Sequence, residues 1–80
     1  MTTALPANED YAKAILSIFG EGRLRPGQTL SEKQVSEAFQ AKRMGRRVDY
    51  EDALKYAVDR EWLTLQLGMV RLTAAGFGQI

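Results

Sequence analysis

Apolar residues fall into three stripes at helical spacing and two short alternating runs. Tyr11, Ala12, Ile15, Leu16, Ile18 and Phe19 share one broad face, which predicts a core-facing helix. Asn8 is placed to cap it, Glu9 and Asp10 sit in the first turn where the helix dipole favours anions, and Gly20 is placed to end it. Residues 20–29 (GEGRLRPGQT) read as loop. Ser31 then opens SEKQ, a capping box in which the Ser31 hydroxyl and the Gln34 side chain satisfy exposed amides reciprocally, with Leu30 and Val35 as its hydrophobic staple. The second helix is expected from Glu32 to about Lys42, burying Val35, Ala38 and Phe39, with Gly45 as the breaker. A third helix starts around Val48 and Asp49, with Asp49 as N-cap and Asp52 making a weaker capping box. Ala53, Leu54, Ala57 and Val58 form its inward stripe, leaving Glu51, Asp52, Lys55, Tyr56 and Asp59 outward. Trp62 to Leu65 and Met69 to Leu72 alternate as strands do, and Gly68 supplies the positive φ of a tight hairpin. Thr73 to Gly76 leaves the second strand in a turn that the Thr73 hydroxyl caps. Residues 1–7 carry no period and read as a flexible N-terminal tail.

Order and spacing from Tyr11 to Gly76 resemble a winged helix-turn-helix domain. The resemblance implies an α+β fold: a three-helix bundle followed by a C-terminal two-stranded β-hairpin, the wing, forming one domain over residues 8–80. It also implies a short strand between the first two helices, which Gln28 to Leu30 can supply. The Leu72, Thr73, Gly76 exit matches a pattern common in such domains. Glu61 departs from it, standing where these domains often have glycine between the recognition helix and the wing.

Composition narrows the chemistry. Eighty residues make one small domain with a single core. The chain has neither Cys nor His, which excludes disulfides, thiol nucleophiles, imidazole bases and Cys/His zinc sites. Asp10, Glu32 and Asp52 have no metal-ligand spacing, so no cofactor or metal is expected, and no enzymatic activity. No run approaches the ~20 apolar residues of a membrane span, and residues 1–20 lack the pattern of a signal peptide, so no membrane association and a cytoplasmic location are expected.

Charge separates the chain into unlike halves. Between Arg23 and Arg47 seven basic residues face only Glu32 and Glu37, a net +5. Between Val48 and Glu61, Lys55 and Arg60 face Asp49, Glu51, Asp52, Asp59 and Glu61, a net −3. Lys42, Arg43, Arg46 and Arg47, just before the third helix, are the candidate phosphate contacts. Lys55 and Tyr56 are candidate base readers, beside acidic groups that repel a polyanion.

Arg71 is the only charge on the wing, whose tip offers Leu67 and Met69 instead. Exposed, they form an apolar patch suited to a protein partner or a homodimer; alternatively Leu67 packs back on the domain. Tyr50 and Trp62 bracket the core-facing helix and are expected to be buried. Two functions follow as expectations. One is a winged-helix protein that binds double-stranded DNA and regulates transcription. The other is a winged-helix protein-interaction or dimerisation module, acting through the third helix and wing tip without DNA.

Overall fold

In the computed structural model, which describes residues 8–43 and 45–80, the chain forms four helices and a three-stranded antiparallel sheet. The tail expected over residues 1–7 lies outside the described residues. In chain order the elements are α1 (Asn8–Glu21), β1 (Thr29–Ser31), α2 (Glu32–Ala41), α3 (Arg47–Asp59), β2 (Leu63–Gln66), β3 (Met69–Leu72) and α4 (Ala74–Phe77). This is a helical bundle carrying a β-hairpin wing, with β1 between the first two helices as expected. β3 lies in the middle of the sheet, pairing Leu30 with Val70 on one side and Leu65 with Val70 on the other.

The core is a single cluster. Ile15, Leu16 and Phe19 of α1, Val35 and Phe39 of α2, Ala53 and Ala57 of α3, and Leu63, Val70 and Leu72 of the sheet are fully buried. At about 1.5–3 kcal/mol for each large side chain, this burial is the main force that holds the bundle on the sheet. Tyr50 and Trp62 are buried as expected, Tyr50 packing its ring against Phe39 with centroids 5.5 Å apart. Strand alternation turns Leu30, Leu63, Leu65, Val70 and Leu72 to the inner face and leaves Thr29, Thr64, Met69 and Arg71 on the outer one. Leu65 is nevertheless 43% exposed, because the wing reaches past the edge of the bundle there.

Local signals explain most element ends, with instructive exceptions. The Ser31–Gln34 capping box forms in full: the Gln34 amide donates to Ser31 Oγ, and the Ser31 amide donates to Gln34 Oε1, both at 3.1 Å. Thr73 Oγ1 accepts from the Gly76 amide at 3.0 Å and starts α4, a short helix that the sequence pattern had read only as a turn. Asn8 is the first described residue of α1 and lies within the helix, not at its flanking cap. Asp49 is not the N-cap of α3. That helix begins two residues earlier, Arg46 takes the cap position, and Asp49 Oδ2 reaches back to accept the Arg46 amide at 2.8 Å. Arg46 has no acceptor to return, so half of a capping box is made, and no second box at Asp52 is needed.

Glycine does not end the helices where it was expected to. α1 runs one residue past Gly20, and the left-handed residue beyond it is Arg23 (φ 55°). The Leu24 amide donates to Phe19 O at 3.0 Å and the Arg23 amide to Gly20 O at 3.0 Å, the double bond of a Schellman turn. α2 ends ahead of Gly45, with Arg43 (φ 52°) left-handed and its amide donating to Gln40 O. α3 ends the same way: Glu61 (φ 62°) is left-handed, its amide donates to Val58 O at 2.9 Å, and Trp62 donates to Ala57 O at 2.9 Å. Glu61 thus holds the conformation for which such a turn usually takes glycine.

The hairpin turn is two residues, Leu67 and Gly68, both with positive φ (51° and 74°). Leu67 is 95% exposed, which rules out the alternative that it packs back on the domain.

Candidate nucleic-acid interface

The link between α2 and α3 is shaped by what touches it. Gly45 passes so close to α1 and α3 that a Cβ there would lie 2.8 Å from the Tyr11 ring and 3.1 Å from Asp49 Cβ. This close approach draws the link under the start of α3. Arg43, Arg46 and Arg47, together with Gln40 and Tyr11, consequently line one open depression beside the first turn of that helix.

The four expected phosphate contacts are not equivalent. Lys42 Nζ is held by the Glu21 carboxylate of α1, and its side chain is only 26% exposed. Arg46 points Nε at Asp49 Oδ2, 3.2 Å away, while its side chain stays 81% exposed. Their hydrogen bond holds the Asp49 carboxyl below its ordinary value and the guanidinium above its own. Arg43 and Arg47 are exposed and make no ion pair among the described residues. Surface pairs of this kind are weak and exchange readily, so Arg46 can turn to an incoming anion at little cost.

The placement of these cations is the opposite of what helix stability favours. The N-terminus of a helix carries roughly half a positive charge, so Arg46 and Arg47 there are mildly destabilising, offset in part by Asp49. The same geometry sets the helix amides and three guanidinium groups against the one carboxylate, Asp49, that lines the depression with them, a net positive field that suits a phosphate.

The two expected base readers lie elsewhere. Lys55 and Tyr56 are eight and nine residues beyond Arg47, about 12–14 Å along α3 at 1.5 Å per residue. Lys55 is exposed. Tyr56 is half-buried: its ring meets Trp62 edge-on at 5.8 Å, and the Arg60 guanidinium lies over it at 5.0 Å. That stretch of α3 is acidic on its outer side. Glu32 and Glu51 help push the Tyr50 phenol up to about 12, although burial contributes most.

Gln40 and Tyr11 were not among the expected site residues. Gln40 was recognisable on the exposed side of α2, three residues before Arg43. Tyr11 is brought in from α1 by tertiary packing alone. Comparison with protein-family models, with curated proteins and with solved structures returned no match.

Proposed function

We propose that the protein is a winged-helix DNA-binding domain that grips the phosphate backbone of duplex DNA through Arg43, Arg46 and Arg47, with Lys42 alongside. Transcriptional regulation is the role this reading suggests. The observation that supports it most is the gathering of three exposed guanidinium groups around the first turn of α3, where the helix dipole disfavours them and the single Asp49 carboxylate offsets only part of their charge. Base reading by Lys55 and Tyr56 is a lesser part of the proposal, since acidic neighbours surround the first and ring packing occupies the second.

The test is a titration of generic duplex DNA at 50 and 200 mM salt. Three phosphate contacts imply a log–log slope of about −2.7, hence a loss of about 40-fold between the two salt concentrations. Arg43→Ala/Arg47→Ala should reduce the slope by about 1.8. Equal, negligible binding by both proteins would refute the reading.

One observation favours a second reading, a protein-interaction or dimerisation module. Leu67 stands almost fully exposed at the wing tip, in a left-handed conformation that glycine or asparagine would adopt more easily. A homodimer in sedimentation that Leu67→Asp dissociates would support it. A strict monomer would remove that version.

A further inference from the structure

We infer that the groove between α3 and the wing receives a short cationic amphipathic segment of a protein partner, seating an aliphatic side chain on Leu54, Val58 and Leu65 and its Lys or Arg residues against Glu32 and Glu51. Its use does not depend on DNA binding, although Glu32 and Glu51 also border the depression between α2 and α3 that Lys33 and Arg47 line.

The groove is built by two elements that meet at a fixed angle. The left-handed turn at Glu61 and the buried Trp62 set β2 against α3, so the inner face of the wing looks across at the C-terminal half of the helix. Leu54 is nearly buried at the floor, Val58 is half-buried, and Leu65 overhangs from β2. The space is about 380 Å³, at the small end of ligand-binding clefts, which suits one or two aliphatic side chains.

Charge selects the occupant. Glu32 and Glu51 stand on the rim with Lys55 as the one cation lining the groove; Asp52 and Asp59 line a neighbouring depression that also holds Lys55, and Glu61 follows the end of α3. None of these five carboxylates has an ion pair among the described residues. A nucleic-acid backbone would be repelled here. The wing tip of a second copy would bring Leu67, Gly68 and Met69, which are apolar but leave Glu32 and Glu51 without a counter-charge. A segment that pairs aliphatic and basic side chains satisfies floor and rim together, the usual logic of an amphipathic segment in a groove.

The test uses isotope-labelled protein and two blocked six-residue peptides of alternating residues, one of lysine and leucine and the other of glutamate and leucine. The lysine peptide should cause saturable amide shifts around Leu54, Val58 and Leu65, and the glutamate peptide should cause none. Glu51→Gln should weaken the response about three- to fivefold, as loss of one exposed ion pair does. Leu65→Glu, checked for an otherwise unchanged spectrum, should weaken it more than tenfold. Equal responses to both peptides, shifts confined to other surfaces, or no saturable shift would overturn the inference. So would a concentration-dependent dimer, without peptide, that Leu65→Glu dissociates, since the groove would then belong to a second copy. Added duplex DNA should move amides near Arg43 and Arg47 instead, so failure of one proposal is distinguishable from failure of the other.

Discussion

The two ends of α3 are built on different principles. Its start is wet and polar: Arg46 as an unusual cap, Asp49 reaching back to it, Arg43 and Arg47 in solvent, and a glycine that lets the link pass. Its finish is fixed by backbone contacts, although Asp59, Arg60 and Glu61 keep their side chains exposed. The Thr73 hydroxyl shares its one proton between the carbonyl oxygens of Glu61 and Trp62, the Thr73 amide donates to Trp62 O at 3.2 Å, and Gly76 lies directly against the Trp62 carbonyl. The finish is therefore held by backbone contacts that allow no substitution at Gly76, whereas the start carries the electrostatic potential. Substitutions at the two ends should separate folding from binding.

The largest expected effect tests the finish of α3. A Cβ on Gly76 would run into the Trp62 carbonyl oxygen, and backbone on both sides leaves nothing flexible to yield. Gly76→Ala should cost about 3 kcal/mol in denaturant unfolding, the upper range of overpacking, with little effect on any DNA affinity measured below the transition. A loss under 0.5 kcal/mol would show that the exit is looser than described. Thr73→Ala, which removes a cap and the bonds to Glu61 and Trp62, should cost about 1–2 kcal/mol in the same measurement.

A smaller effect, of opposite sign, comes from the left-handed helix ends. Arg43→Gly and Glu61→Gly each relieve a non-glycine residue at positive φ and should raise stability by about 0.5–1 kcal/mol. The pair sharpens the contrast, because Arg43→Gly should also weaken DNA binding whereas Glu61→Gly should not.

Asp49→Asn gives the smallest change and a pH signature. The folded Asp49 carboxyl is lowered below its ordinary 3.8, so its contribution is complete above that value and disappears as pH falls through the folded one. Asparagine still offers an acceptor to the Arg46 amide but carries no charge. The melting-temperature difference between wild type and variant should be present at pH 7 and should shrink below about pH 4.

What was legible in the chain was what neighbours in sequence decide. The Ser31–Gln34 box, the positive φ at Gly68 and the apolar stripes of the three long helices depend on residues a few positions apart, and the structure has them. The start of α3 was misplaced because Asp49 is a good cap by type, yet its carboxylate works equally well three residues into the helix. The helix ends differ from those expected because left-handed Arg23, Arg43 and Glu61 carry no compositional mark, whereas glycines such as Gly20 and Gly45 do. In the candidate site, the arginine cluster could be read directly. The Lys42–Glu21 pair, the Tyr11 wall and the Leu65 overhang could not, because each depends on contacts far apart in sequence or on where the core stops.

The most direct test of the electrostatic division of α3 is an amide shift map of the labelled protein with generic duplex DNA at 50 mM salt, repeated at 200 mM. Shifts are expected at Gln40, Arg43 and Gly45 to Arg47, reduced at the higher salt, with those at residues 51–59 clearly smaller. Shifts centred on Glu51 to Asp59, or none at the start of α3, would contradict it.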